Sequence, residues 1–249
     1  MKKLISIFIG IFILWIHVQA KNFNNIFYSA HPKVVIFQPD KSALRNNLPL
    51  VLIQSNAKEK LPLAFFISGD AGWSSFDQTL CEKLAEKGMS VIGLDARKYF
   101  WDEKKPKEVA DEIETVILQY LKKWGSNSFV LIGYSFGACV APFIANNFSS
   151  SLKKTLKGVY CISPDETCDF EVHISDMLNF NFKEKFDVLS ELKKIAPLKP
   201  VCIFGKDEHA VLLKHFSIPE IKIETLPGNH HYNKDYNALA LIVVKIIKR

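Results

Sequence analysis

The chain of 249 residues predicts an α/β fold, with a mainly parallel sheet covered by helices on both faces. Strand-like apolar runs alternate with helix-like amphipathic segments through most of the sequence. Several of the runs are uniformly apolar, as strands buried on both faces are. Polar residues able to carry chemistry directly follow three of these runs. The length and ordinary composition suit one domain with a large core.

Residues 1–20 have the pattern of a signal peptide. Two lysines precede an apolar run at 4–16, and Val18-Gln19-Ala20 ends it with small residues where a signal peptidase cleaves. The alternative is an uncleaved anchor, but the run is short for a membrane span. We therefore expect cleavage after Ala20, export to a periplasm, and a single mature domain over residues 21–249.

Charge and cysteine usage narrow the function classes. The formal net charge of +6 is mild, and no basic stripe interleaved with aromatic residues points to nucleic acid. The sequence has neither a Cys-x-x-Cys pair nor a His-x-x-x-His pair, so it predicts no metal and no cofactor. Cys161 and Cys168 are close enough for a loop-closing disulfide. For Cys139 and Cys202, set in apolar runs, a role as small buried apolar residues is preferred.

The N-terminal half predicts an edge hairpin and a central strand. Residues 34–38 and 50–54 are extended candidates for an antiparallel hairpin at the edge of the sheet. Leu63–Ile67 is entirely apolar and predicts a buried central strand. The elements that follow are a helix capped by Ser75 and stopped at Gly88, a strand at 90–94, and a helix at 106–124. Pro106 opens this second helix and Gly125 ends it.

The C-terminal half continues the alternation of strands and helices. A strand into Gly133 and a helix from Phe136 to about Phe148 flank a short turn. The acid-rich residues 164–196 have no clear period and are expected to lie over the carboxyl ends of the strands. The remaining predicted elements are strands at 158–163, 199–204 and 220–226 and a closing helix at 235–248.

The turn has the sequence Gly133-Tyr134-Ser135-Phe136-Gly137, which fits a nucleophile elbow. In that motif a buried strand turns sharply through a serine into a helix. The glycines have a steric role, because a Cβ two residues from the serine would collide with the neighbouring strand or helix. A chance match is the alternative, but the flanking strand and helix patterns favour the elbow.

A serine nucleophile needs a base and an acid that orients the base. Ser135, an acidic pair and a histidine pair follow successive predicted strands in the order that α/β-hydrolases use. The sequence therefore predicts an α/β-hydrolase fold with Ser135 as nucleophile. Glu208 is preferred over Asp207 as the acid and His230 over His231 as the base, with both choices left open.

The loop at 68–73 is the candidate for the remaining part of the site. In an α/β-hydrolase, the loop after this strand supplies the second oxyanion donor. The backbone N–H groups of Phe136 and of Asp70 or Ala71 are the expected donors. An ordinary strand-to-helix loop is an equally good interpretation of this stretch taken alone.

Four stretches together resemble the VirJ/AcvB family of bacterial virulence proteins. They are Phe66-Ile67-Ser68-Gly69-Asp70-Ala71-Gly72-Trp73, Gly93-Leu94-Asp95 with Tyr99-Phe100-Trp101, Gly133-Tyr134-Ser135-Phe136-Gly137-Ala138, and Leu226-Pro227-Gly228-Asn229-His230-His231. The resemblance covers about residues 45–249 and departs from the family at Ala71, where glycine is expected.

The resemblance implies an exported α/β-hydrolase that removes lysine from lysyl-phosphatidylglycerol in the periplasm. It also implies a link to virulence and, for some members, to type IV secretion components. The lipid substrate would be met by peripheral contact with the membrane. Asp70 and Trp73 are the expected substrate-binding residues, because a carboxylate such as that of Asp70 would attract the lysyl ammonium groups.

Two other functions stay open at this point. One is a generic exported carboxylesterase or thioesterase that acts on a neutral acyl ester. The other is a degenerate hydrolase fold that serves as a periplasmic binding or assembly protein for a secretion system. The presence of a serine, an acid and a histidine in the required order favours an enzyme over the binding protein.

Overall fold

The computed structural model describes residues 34–37, 48–172, 185–208 and 210–248. The predicted signal peptide and its cleavage site after Ala20 lie outside these residues, as do Gln38 of the first predicted strand and part of the acid-rich segment. Within the described residues, no helix is both long enough and apolar enough to cross a membrane.

The central element is an eight-stranded sheet with the strand order β1-β2-β4-β3-β5-β6-β9-β10. A separate two-stranded antiparallel sheet pairs β7 with β8. The strands are β1 (Val34–Phe37), β2 (Leu50–Ser55), β3 (Leu63–Ile67), β4 (Val91–Leu94), β5 (Phe129–Tyr134), β6 (Leu156–Ile162), β7 (Thr167–Cys168), β8 (Phe186–Asp187), β9 (Val201–Gly205) and β10 (Lys222–Leu226).

The pairing directions confirm the predicted, mainly parallel sheet. In the eight-stranded sheet, the neighbours along the order β4-β3-β5-β6-β9-β10 are all parallel, and β2 pairs antiparallel with β4. The strand β1 lies beside β2 at the edge, where the N-terminal strands were predicted. Because the parallel strands share a direction, their carboxyl ends meet along one edge of the sheet, where sites in such folds collect.

Helices connect the strands and cover both faces of the sheet. The helices are α1 (Ser75–Glu86), α2 (Ala96–Tyr99), α3 (Pro106–Trp124), α4 (Phe136–Asn147), α5 (Ser150–Lys153), α6 (Val188–Lys194), α7 (Ala210–Phe216) and α8 (Tyr236–Ile247). Helices α3 and α6 pack against α4, and α1 packs against α8.

The strand β3 shows how the two faces are filled. All five of its side chains are at most 1% exposed. Leu63, Phe65 and Ile67 join the large apolar cluster with α3 and α4. Ala64 and Phe66 lie outside that cluster, on the alternate face of the strand. Each buried Phe contributes about 2–3 kcal/mol of transfer free energy, so a uniformly apolar strand stabilises both layers at once.

Helix boundaries follow the predicted caps closely. Pro106 is the first residue of α3, and Gly125 ends the helix in the left-handed conformation, both as predicted. The prediction that Ser75 caps α1 is wrong by one residue. Ser74 caps it through a capping box with Asp77, because the Ser74 hydroxyl accepts from the Asp77 amide and the Asp77 carboxylate accepts from the Ser74 amide.

All five cysteines are buried and none of them forms a disulfide, so the prediction of a Cys161–Cys168 bond is wrong. Cys161 lies inside β6, directly opposite Cys202 of β9 in the parallel register. Cys168 belongs to the separate β7–β8 sheet. Proximity in sequence suggested the bond, but the path of the chain places the two thiols in different sheets. Cys139 and Cys202 are buried in the apolar core, as preferred.

Candidate active site

Ser135 forms the turn between β5 and α4. Its backbone has φ 53° and ψ −118°, a strained conformation for a residue with a side chain. Its N–H donates to the carbonyl oxygen of Ile162 (2.9 Å), and its own carbonyl accepts from the amides of Ala138 (2.9 Å) and Cys139 (3.2 Å). The neighbouring strand and the start of the helix therefore fix the strained serine from both sides.

The two glycines of the motif are required by close approach. A Cβ on Gly133 would lie 2.1 Å from the carbonyl oxygen of Gly137. A Cβ on Gly137 would lie 2.2 Å from the carbonyl oxygen of Ile67. Both distances are far below van der Waals contact and both involve backbone atoms, which move only with the strand or the helix. This geometry is the steric role that the sequence predicted.

Ser135 opens into a cavity of about 490 Å³ at the carboxyl ends of the strands. The predicted site residues that line it are Asp70, Ser135, Phe136, Asp207, Glu208 and His230. Asp165 and Glu171 of the acid-rich segment add two further carboxylates. No lysine or arginine of the described residues lines this cavity. Within the described part of the chain, the lining therefore carries five carboxylates and one histidine.

The acidic pair after β9 divides into a held carboxylate and an exposed one. Oε1 of Glu208 accepts from the Ser163 hydroxyl (2.5 Å) and from the Gly205 amide (3.0 Å), and it lies 4.0 Å from Nδ1 of His230. The side chain of Glu208 is only 7% exposed. Asp207 also lines the cavity, but it is exposed. The geometry therefore favours Glu208 as the group that orients a histidine.

The two histidines also differ in their surroundings. His230 lines the cavity, and its imidazole is 42% exposed. Burial lowers the pKa of His230, while the charge of Glu208 partly offsets that effect. His231 is exposed, and its Nδ1 lies 3.0 Å from the Tyr134 hydroxyl. Among the described residues no hydrogen bond joins Ser135 to either imidazole, as is common before substrate binds.

The amides near Ser135 are candidates for an oxyanion hole. Phe136 is the first residue of α4, so its N–H belongs to the first helical turn, which has no intrahelical acceptor. A Cβ on Gly69 would lie 3.5 Å from the Cβ of Ser135, so the loop after β3 runs directly beside the serine. The Ala71 amide donates to Oδ1 of Asp70 (2.8 Å). Asp70 is therefore the better second donor of the two predicted.

Trp73 was predicted to bind substrate, but it does not line the cavity. Its indole N–H donates to Gln78 (2.7 Å), and its ring packs edge-on against Phe66. A Cβ on Gly93 would come within 2.2 Å of the Trp73 ring, so the indole lies on the sheet at that glycine. These contacts assign Trp73 a packing role instead.

Two residues of the site were missed in the sequence. Tyr134 precedes the nucleophile, stacks on Phe76 (ring centroids 4.1 Å apart) and donates to the carbonyl oxygen of His230 (3.2 Å). Ser163 directly follows β6, and its hydroxyl donates to Glu208. A signal for Ser163 was present, because it is a polar residue directly after an apolar strand, the same placement that identified the acid and the histidine.

The acid-rich segment only partly matches its prediction. Residues 164–172 do reach the cavity, as expected for an insertion over the strand ends. Asp165 lines the cavity, whereas the Glu166 carboxylate pairs with His215 instead. Asp176 lies outside the described residues. Among the described residues, no group of three or more His, Cys, Asp or Glu side chains is arranged to hold a metal ion.

The sequence model of the bacterial virulence protein VirJ matches residues 62–249. The chain belongs to the VirJ family. The matched region begins one residue before β3 and includes every residue of the candidate site. A search of curated proteins gives no match.

Solved structures similar to this VirJ family member are α/β-hydrolases. Est1E from Butyrivibrio proteoclasticus is 16% identical, with a TM-score of 0.57 over 86% of this chain and 97% of that one. A putative dienelactone hydrolase from Klebsiella pneumoniae is 11% identical (TM-score 0.59, 85% and 96% covered). A putative hydrolase from Bacillus subtilis is 14% identical (TM-score 0.58, 92% and 98% covered). At these identities the likeness establishes the fold alone.

Proposed function

We propose that this VirJ family member is a serine hydrolase that cleaves the aminoacyl ester of lysyl-phosphatidylglycerol. The observation that carries the proposal is the cavity at Ser135, which holds five carboxylates and no lining lysine or arginine among the described residues. A lysyl group carries two ammonium groups near neutral pH. At about 4 Å, near a protein surface, one ammonium–carboxylate contact is worth on the order of 4 kcal/mol before desolvation. A neutral acyl group would gain nothing from these charges.

In the proposed reaction, Ser135 Oγ attacks the lysyl ester carbonyl while His230 takes the hydroxyl proton. The amides of Phe136 and Asp70 donate to the oxyanion. The C–O bond to the glycerol then breaks, and His230 returns the proton to the leaving hydroxyl. Water attacks the acyl-enzyme by the same route and releases lysine. Glu208 orients His230 and stabilises its protonated form.

The cellular setting is part of the proposal. Residues 1–20 support export to the periplasm, and the substrate is a membrane lipid that a peripheral enzyme would reach at the bilayer surface. The family resemblance supports a role in virulence, with type IV secretion components as candidate partners. The proposed reaction uses no metal and no cofactor.

The direct test is lysine release from lysyl-phosphatidylglycerol vesicles by the purified mature protein, beside Ser135→Ala. Release by the wild type and its loss in the variant are expected. If neither protein releases lysine while the wild type still hydrolyses a soluble neutral ester, the chain is a general esterase instead. Full complementation of a virulence defect by Ser135→Ala would favour the non-catalytic binding protein.

A second comparison tests the role of charge. Asp70→Asn is expected to raise KM for a lysyl ester several-fold and to leave KM for an uncharged acyl ester unchanged. Asp102→Asn is the matched control, because Asp102 is an exposed aspartate that does not line the cavity. Equal effects of the two variants, or an unchanged KM in Asp70→Asn, would remove Asp70 from substrate recognition.

A further inference from the structure

Ser163 directly follows β6, just as Ser135 directly follows the neighbouring β5. Tyr134 and Ile162 are register partners in the two strands, so the two serines occupy equivalent positions one step beyond them. Both have left-handed backbones, with φ 53° at Ser135 and φ 51° at Ser163. Such a conformation costs on the order of 1 kcal/mol or more for a residue with a side chain, and it persists only where surrounding contacts hold it.

The contacts of Ser163 converge on the acid. Its N–H donates to the carbonyl oxygen of Ile203 in β9 (2.8 Å), and its hydroxyl donates to Oε1 of Glu208 (2.5 Å). A distance of 2.5 Å is typical of a hydroxyl bound to a carboxylate, the stronger class of hydrogen bond. Ser163 is 3% exposed, so water does not compete effectively for this bond.

A second hydroxyl fixes the orientation of the first. The Tyr232 oxygen lies 2.6 Å from Ser163 Oγ and donates to the Ile203 carbonyl (2.8 Å). Tyr232 is 1% exposed and is the second residue after His230. Because Ser163 donates its one hydroxyl proton to Glu208, its oxygen can only accept from Tyr232, and the single Tyr232 proton is shared between Ser163 Oγ and the Ile203 carbonyl oxygen. The network therefore links the chain after β6, the acid and the histidine loop.

We propose that Ser163 is a positioning residue that holds the Glu208 carboxylate in the place from which it orients His230. This inference rests on the proposed serine-hydrolase function. The two close donors to Glu208, the Ser163 hydroxyl and the Gly205 amide, both bind Oε1, and Oε1 is also the oxygen 4.0 Å from His230 Nδ1. Without the Ser163 hydroxyl, Oε1 keeps the Gly205 amide as its close donor, and that amide lies in the same turn as Glu208.

The test measures activation of the nucleophile rather than turnover of one substrate. A fluorophosphonate probe bonds to Ser135 Oγ through phosphorus with loss of fluoride, while the base takes the hydroxyl proton. The labelling rate at Ser135, followed by mass spectrometry, thus reports the base and its orientation for any substrate. We expect Ser163→Ala to lower this rate and kcat about 10-fold, with KM unchanged.

A double-mutant cycle separates positioning from a general structural role. Glu208→Gln keeps the shape of the side chain and removes its charge. If Ser163 acts through Glu208, then Ser163→Ala in the Glu208→Gln background should cause no further loss. Ser55→Ala is the matched control, because the Ser55 hydroxyl donates to the Ala85 carbonyl (2.6 Å) at the opposite end of the sheet. It should lower Tm without changing the labelling rate.

The outcomes distinguish this inference from the function on which it rests. A wild type that the probe does not label at Ser135 would overturn the proposed hydrolase and this inference with it. Labelling that falls in Glu208→Gln but not in a folded Ser163→Ala variant would overturn only the role of Ser163. Additive losses in the double variant would do the same.

Discussion

The phenolic oxygen of Tyr134 lies 3.0 Å from Nδ1 of His231 and 3.2 Å from the carbonyl oxygen of His230. The residue before the candidate nucleophile therefore holds the loop that carries the candidate base. Tyr134 is itself held by stacking on Phe76. Burial, with the charges of nearby acids, raises the pKa of the Tyr134 phenol, so it remains a hydrogen-bond donor throughout the working pH range.

Removing this hydroxyl should loosen the histidine loop. We expect Tyr134→Phe to lower kcat several-fold and to reduce the free energy of unfolding by about 1 kcal/mol, the usual net value of one hydrogen bond. Steady-state kinetics and denaturant unfolding measure the two effects. Tyr120→Phe on α3 is the control and should leave kcat unchanged. An equal kcat in both variants would contradict a role for Tyr134 in holding the loop.

The choice of acid predicts unequal effects within the pair after β9. Glu208→Gln should lower kcat by about 10²-fold or more, because His230 loses the carboxylate that orients it. Asp207→Asn, the matched neighbour, should change kcat by less than about 3-fold, since the Asp207 carboxylate is exposed and Glu208 is the one that lies 4.0 Å from His230 Nδ1. The reverse order of effects would assign the acid to Asp207.

Glu208→Gln should also shift the pH profile of kcat/KM. The base acts as a neutral imidazole, so kcat/KM rises with pH through the pKa of His230. Burial lowers that pKa below its usual value of about 6.5, and His231 acts in the same direction, while Glu208, Asp70 and Asp165 raise it. Glu208→Gln removes a raising charge, so the acidic limb should move to lower pH. A limb that moves upward would contradict this assignment.

The glycines of the elbow should resist substitution according to their contacts. Gly137→Ala places a Cβ 2.2 Å from a backbone carbonyl, so we expect a loss of at least about 3 kcal/mol in the free energy of unfolding. Gly69→Ala, whose Cβ would make an ordinary 3.5 Å contact, should lose less than about 1 kcal/mol. Urea unfolding of both variants measures the difference, and similar stabilities would contradict the close approach.

Cys81 and Cys202 should be inert in the native state. Burial raises the pKa of both thiols well above the usual range, so little thiolate forms at pH 8. We expect neither to react with Ellman's reagent until the protein unfolds, and we expect no change of Tm on adding a reductant. The intact mass, measured under non-reducing conditions, should correspond to a chain without a disulfide. A mass lower by two hydrogen atoms would show that a disulfide forms.

The sequence was sufficient for the features that depend on short stretches of chain. Leu63–Ile67 has no polar position, so only a strand buried on both faces suits it, and the structure places it there. Pro106 and Gly125 mark the ends of α3 because one lacks a backbone donor and the other tolerates a left-handed backbone. The elbow glycines have the same local character.

The tertiary structure decided what depends on separate segments meeting. It paired Glu208 rather than Asp207 with His230, engaged the Ala71 amide within its own loop, and placed Trp73 over Gly93 away from the cavity. It also separated Cys161 from Cys168 and brought Ser163 against the acid. The sequence by itself determined the strands, the turns and the order of the chemical groups, because these follow from local sterics and periodicity. Which side chains meet depends on strand register and loop path, which only the packed sheet defines.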